Sequence, residues 1–484
     1  MRRTPILARP LYAVAISLAS LAAAGLLATP AQAQREDRKK DDKKGAAAAK
    51  PPQPTKGFIP AYTDLKAALD AAAKREDVIA AKAKIAETEK AYRSARGRAA
   101  QDAARGQYDA SVAALGTLLT PEKGKVENAF AKVGNDADKF YAGQLAFTYG
   151  GLAVDKATQR RGLMAMIESG NVPPAEVGKY HYYAAGFAFD MKDYAAAEAS
   201  LKSAIAAGNS GDDVKGLLAE AQNSAGRPAE GLATFRQMVE GAVAAGKVPD
   251  ADWLERGVVI SYNNKMGPES VEWGLRRIEH HPSQAGWVAA GQIMREKGDY
   301  GAMDSLDISR ALDRAGALTI STPSVQREYI EYLQSAVGKV GVLYPGEVVK
   351  IANQCVKVTA LQASDPFVRD ALAEASRRVA ADRASLPGLE RDAKAPTAAL
   401  RTVLIAADTF LSYDQADKAA ELYNIALAKP GADAAAIHLR LGIALVKQGK
   451  MPEAEAALAK VEGPRKPIAQ LWTLVAKGKV VPTS

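Results

Sequence analysis

Small residues return at a fixed interval in this chain, and that constrains it more than any other feature. Ala197 and Gly231 stand 34 positions apart and Ala419 and Ala454 stand 35 apart, each inside a segment whose large apolar residues follow at helical spacing. Independent helices would not keep that register, so the chain reads as an array of similar helix pairs. The steric content is simple: Gly or Ala at a crossing lets two helix backbones approach closely, while large residues fill the space between neighbouring pairs. From residue 58 onward, helical stretches alternate with Gly, Pro, Asn and Asp, and hardly any β-branched alternation intervenes. Thr322-Pro323 and Asp365-Pro366 each place a capping side chain before a proline at the first helical position. Composition agrees, because a chain that is alanine-rich and only 6% aromatic favours helix and excludes an all-β or collagen-like fold.

The copies can be set side by side. Leu441-Gly442, Leu445, Gly449-Lys450, Ala454, Leu458 and Val461 run through a first helix, a turn and a second helix. Trp287, Ala290-Gly291, Met294 and Gly298-Asp299-Tyr300 repeat the first helix and turn closely. Leu218-Ala219, Gly226, Gly231, Phe235 and Met238 form a third copy, and Gly186, Phe189, Asp193-Tyr194, Ala197, Leu201 and Ala204 a fourth with a slightly short turn. Ala406-Ala407, Phe410, Ala419, Tyr423 and Ala426 give a fifth, and Val259, Tyr262, Val271, Leu275 and Ile278 a poorer sixth. This pattern of Leu-Gly, a large residue three later, Gly-Asp-Tyr at the turn and Ala, large, Ala in the second helix resembles the tetratricopeptide repeat (TPR) family, in its secreted bacterial type. The resemblance implies an all-α, α-α superhelix, a TPR-like solenoid of helix hairpins, and it says nothing about chemistry at the matched positions.

The organisation expected along the chain is a signal peptide over 1–33, a disordered charged and Pro-rich linker over 34–57, and an N-terminal helical region with degenerate repeats over 58–176. TPR-like repeats follow over 177–310, then a helical stretch over 311–399 of degenerate repeats or insert, and further TPR-like repeats over 400–484. Residues 66–105 read as long amphipathic helices that cap the N-terminal end, and a coiled coil also fits there. In the 311–399 stretch, helices are expected over Tyr329 to Val337, Gly346 to Val358 and Phe367 to Arg383.

The formal charge of +9 raises the question of a nucleic-acid partner. Its location answers it: residues 1–33 hold three bases and no acid, residues 35–57 hold eight bases against four acids, and the remaining body carries only +2. That body has no excess charge for a phosphate backbone. Arg2-Arg3, an apolar run from Leu11 to Leu27, then Pro30 and Ala31-Gln32-Ala33 have the regions of a secretory signal, with cleavage expected after Ala33 and a periplasmic destination, or secretion. No transmembrane segment is expected after cleavage. The single cysteine, Cys355, permits no internal disulfide and lies on an apolar stripe with Ile351, where a buried inert thiol is the expected role.

No cofactor, metal or catalytic motif is present: no phosphate loop, no His-Glu-x-x-His, no paired cysteines, no nucleophile elbow. His280-His281 lie before Pro282 at a helix end, where adjacent residues point apart, and His181 and His438 have no acid or cysteine at ligand spacing. A non-enzymatic interaction scaffold of the cell envelope is therefore expected, binding an envelope protein or extended peptide in the concave groove. The groove-facing candidates are Tyr183 and Phe187, then Arg256, Asn263 and Asn264, then Gln292 and Arg295. Core packing competes for Tyr183 and Phe187, and an ordinary solvated face competes for Arg256 and Arg295. The alternative partner is a glycan, with the chain serving as a polysaccharide- or peptidoglycan-associated part of an export or assembly machine. Its basis is the ring-rich run Lys179-Tyr180-His181-Tyr182-Tyr183.

Overall fold

The computed structural model describes residues 53–338 and 344–482, and all of its regular elements are helical: twenty-two α-helices and one 3₁₀ turn. The expected signal, its cleavage point and the linker up to residue 52 lie outside the described residues. The chain divides between Thr234 and Phe235 into two compact units. The boundaries expected at 176/177, 310/311 and 399/400 all fall inside these units.

The first unit contains α1 (Ile59–Ala72), α2 (Glu76–Ser94), α3 (Arg98–Leu118), α4 (Thr120–Ala131), α5 (Asp136–Ala153), α6 (Lys156–Glu168), α7 (Pro174–Asp190), α8 (Tyr194–Ala206) and α9 (Asp212–Ser224). The division falls within α10 (Pro228–Ala244). Helices α2 and α3 are the long amphipathic pair expected over 66–105, and they pack chiefly on each other. Only Val78, Ile85 and Thr88 of α2 and Leu115 of α3 are buried, so most of this arm keeps its alanines and charges in water. The linker expected to run to Gly57 ends earlier. Thr55 donates both its backbone N–H and its hydroxyl to the fully buried Asp138 carboxylate, at 2.7 Å each, and Gly134 N–H adds a third bond at 2.9 Å. A carboxylate so buried needs those donors, and it fixes the chain from Gln53 onward.

The second unit continues with α11 (Ala251–Asn263), α12 (Gly267–His280), α13 (Gln284–Lys297), α14 (Ala302–Arg314), α15 (Pro323–Val337), α16 (Pro345–Lys357) and α17 (Pro366–Lys394). It ends with α18 (Leu400–Ser412), α19 (Ala416–Leu427), α20 (Ala434–Lys447), α21 (Met451–Leu458), the 3₁₀ turn and α22 (Lys466–Ala476). Both proline caps form as expected: Thr322 accepts from Val325 N–H, and Asp365 accepts from Phe367 and Val368 N–H. The helix expected to stop near Arg383 runs on to Lys394 through Pro387. Leu386 just before the proline and Ala393 beyond it are buried, and that packing offsets the lost backbone bond.

The hairpin turns share one geometry. Three residues link α7 to α8, α9 to α10, α11 to α12, α18 to α19 and α20 to α21, and the middle residue is left-handed each time: Lys192, Gly226, Lys265, Asp414 and Gly449. The next amide then reaches back to a carbonyl of the preceding helix, as from Asp193 to Ala188 and from Met266 to Ser261, both at 2.9 Å. A departure occurs where the sequence pattern was closest. Gly298 of Gly298-Asp299-Tyr300 is extended (φ −98°), with the Tyr300 ring lying against it, and the link to α14 is one residue longer.

The repeated small residues are interior. Ala197, Ala419 and Ala454 are fully buried, and a side chain on Gly231 would come within 2.6 Å of the Ala219 carbonyl oxygen. An equally close crossing lies in the 58–176 region, where only degenerate repeats were expected: Gly143 of α5 and Gly162 of α6 face each other so tightly that a Cβ on either would meet the other's carbonyl oxygen at 2.5–2.6 Å.

Candidate functional site

A cleft of about 660 Å³ opens in the first unit between α3 and the α5–α6 hairpin. It arises because α3 turns a face of Asp109, Ala113, Gly116 and Thr117 toward α5 without packing closely on it. Tyr108 and Val112 of α3, Tyr149 of α5 and Met191 after α7 supply the apolar surface. Lys123, Asp155 and Lys156 supply the charge. The volume is that of a site for a small molecule or a short peptide segment.

Each polar group in the cleft is held in a definite state. Burial works to raise the Asp155 carboxyl, but hydrogen bonds from Thr158 N–H (3.0 Å) and Thr158 hydroxyl (2.8 Å), with the Lys123 ammonium at 3.2 Å, outweigh it and keep Asp155 below the ordinary carboxylate range. Lys156 pairs with Asp190 at 2.7 Å. Burial, reinforced by Asp155 and Glu122, pushes the Tyr149 phenol up to about 12, and burial also raises Tyr108. Both phenols stay protonated at neutral pH; Tyr149 is buried with its hydroxyl directed at the Leu119 carbonyl, so the cleft offers the half-buried Tyr108 ring and hydroxyl and two ion-paired lysines: the equipment of a binding site. Val154, at its rim, is left-handed (φ 56°). Lys192, Lys265, Thr359 and Asp414 adopt the same conformation elsewhere, so the strain belongs to the turn and is no mark of the cleft.

In the second unit, five ionised side chains meet in the interior. Asp307 and Arg310 of α14 pair at 2.8 Å, and Arg310 forks onto Glu347 of α16 at 2.8 and 2.5 Å. Arg440 of α20 lies 3.6 Å from Asp307 and 3.4 Å from Asp408 of α18, whose other oxygen accepts from Tyr423 of α19 at 2.6 Å. Asp307 and Arg310 are buried and so is Glu347. Burial raises the Asp307 carboxyl, and the facing guanidinium groups of Arg310 and Arg440 oppose that rise without cancelling it. Three carboxylates against two guanidinium groups, buried at Asp307, Arg310 and Glu347 and partly exposed at Asp408 and Arg440, form a structural tie between helices distant in sequence.

The groove candidates are dispersed. Tyr183 and Phe187 are half-buried against the core of the first unit, with the Phe187 ring edge-on to Phe147 at 6.4 Å, which is the packing role. Tyr180 of the ring-rich run is fully buried, and Tyr182 and Tyr183 lie ring to ring at 5.9 Å. In the second unit, Arg295 is not groove-facing. Its guanidinium is buried against Glu328 of α15 (2.6 Å) and Ser309 (2.8 Å), because a carboxylate lodged that deep must be paired, and Gln292 serves the same Glu328. Arg256 is half-buried, Asn263 is exposed, and Asn264 caps α11 by donating to Ile260 O at 2.8 Å. Cys355 is fully buried, and burial pushes its thiol up to about 11. The cleft residues Lys123, Tyr149, Asp155 and Lys156 carried no signal in the sequence, because they meet only through the packing of separate helices.

No protein-family model matches the sequence, and no curated protein matches it. Among the described residues, no helix is long and apolar enough to cross a membrane.

Proposed function

We infer that this chain is a non-enzymatic interaction scaffold of the bacterial cell envelope, a TPR-type superhelix that holds a partner protein, or an extended segment of one, against its helix pairs. The observation that supports this most is the recurring hairpin: five three-residue links with a left-handed middle residue, closed over buried Gly and Ala. Stacked hairpins of this kind bind along a shared face, and their repeated residues serve packing. The cleft beside Tyr108 and Tyr149 is the best-formed contact point in the first unit, and Arg256 with Asn263 is the candidate contact in the second. Export places the mature chain, from Gln34 onward, in the periplasm.

The test is quantitative binding to a partner identified by crosslinking in the native envelope and then purified. Tyr108→Ala and Arg256→Glu are each expected to weaken that complex at least about tenfold, the loss typical of an interface anchor, measured at a temperature where each variant is shown to be folded. Unaltered affinity in both variants would remove these surfaces from the reading. A glycan partner has one foothold, the half-buried Tyr108 ring of the cleft, because rings stack on sugars. Retention on purified sacculi that Tyr108→Ala abolishes would favour it.

A further inference from the structure

In a linear stack each helix pair touches only its neighbours, yet the end of the second unit returns to its beginning. Trp472 of α22 is fully buried and donates its indole N–H to the Asp307 carbonyl at 3.0 Å, while Arg465 reaches Asp304 at 2.7 Å. Beyond α22, Gly478 (φ 70°) turns the chain, and residues 479–482, outside any helix, lie over α13 and the end of α14. They are held there through main-chain atoms. The Trp287 indole N–H donates to Lys479 O at 3.0 Å, Val481 N–H donates to Ala315 O at 2.9 Å, and the Val481 side chain faces Gly316.

We propose that Trp287 and the Ala315–Gly316 turn form a receptor for an extended peptide of basic, β-branched and proline residues, occupied in this chain by its own residues 479–482. Main-chain capture beside one apolar contact is how grooves take extended segments in trans, and it does not depend on the segment's being covalently attached. The arrangement can exchange because α22 is anchored separately by Trp472, so residues 479–482 can leave without unpacking that helix. Attachment gives the internal segment an effective concentration of about a millimolar, which makes it a built-in competitor. This inference is independent of the first-unit cleft.

The probe is a fluorescently labelled peptide spanning Gly478–Ser484. A chain ending at Gly478 is expected to bind it saturably and at least about tenfold more tightly than the full chain, and Trp287→Phe in the shortened chain should weaken binding about fivefold, one hydrogen bond's worth. Equal binding by the two chains, or none by a shortened chain that melts like the full one, overturns the proposal. Should the shortened chain fail to fold, full-length Val481→Pro decides, since it loses the N–H that donates to Ala315 and the valine side chain that faces Gly316. It must bind the peptide at least about threefold more tightly than the unaltered chain, and no gain overturns the proposal.

Discussion

At the scale of single residues, ion pairs tie successive hairpins, and two of them show opposite regimes. Glu198 of α8 is buried beneath Arg227 in the α9–α10 turn. The hydrogen bond from Arg227, with Lys202 at 2.8 Å, outweighs burial and lowers its pKa to about 2. The folded value lies below the unfolded one, so the pair stabilises the fold above about pH 5, and that contribution is lost as the pH falls toward 2. Glu198→Gln should cost about 1–2 kcal/mol at pH 7, the half-exposed arginine limiting the figure, and the difference from the unaltered chain should shrink steadily below about pH 5, to roughly half by about pH 3, closing only toward pH 2. Urea melts at pH 7, 4 and 3 measure this directly, and a pH-independent difference contradicts it. Arg310 is the other regime, since it is buried with both of its partners. Arg310→Met would strand Asp307 and Glu347 in the interior, at a cost of about 3–5 kcal/mol by denaturant unfolding.

At the scale of elements, the turn geometry makes a prediction of the opposite sign. Lys192 and Lys265 are exposed yet left-handed, a conformation that costs a side-chain-bearing residue about 1 kcal/mol and costs glycine almost nothing. Lys192→Gly and Lys265→Gly should therefore each stabilise the protein by about 1 kcal/mol in urea, whereas the same exchange in mid-helix would destabilise it. The same elements show what was legible beforehand. Helix identity, the two proline caps and the buried small residues at 197, 231, 419 and 454 follow from local periodicity and sterics, which sequence carries in full. Helix α17 outruns the expected end at Arg383 because tertiary burial of Leu386 and Ala393 carries it through Pro387, a local breaker. The α5–α6 crossing escaped notice because its close contact is glycine on glycine, 19 residues apart, outside the 34- to 35-residue register of the small residues that were matched. The cleft and the ionic cluster were illegible for a different reason. Asp307 and Arg310 at i,i+3 hint at a pair, but Glu347, Asp408 and Arg440 reach them only through long-range folding. Arg295 read as a surface group because nothing local announces Glu328, 33 residues on.

At the scale of the whole molecule, the question is whether stability spreads along the array or is divided. Nearest-neighbour coupling would let every hairpin share one transition, and α10 runs unbroken across the division. Against that, the second unit closes on itself: α22 and residues 479–482 return to α12, α13 and α14, and the ionic cluster joins α14 to α16, α18 and α20. Such long-range ties unfold together or not at all, and the first unit shares none of them. Divided cooperativity should win. Calorimetry is expected to resolve two transitions, with Gly143→Ala lowering one by about 1–3 kcal/mol through its clash with the Gly162 carbonyl, and Arg310→Met lowering only the other. If both substitutions move a single shared transition, the hairpins act as one continuous cooperative array, and the closure of the second unit adds no independence.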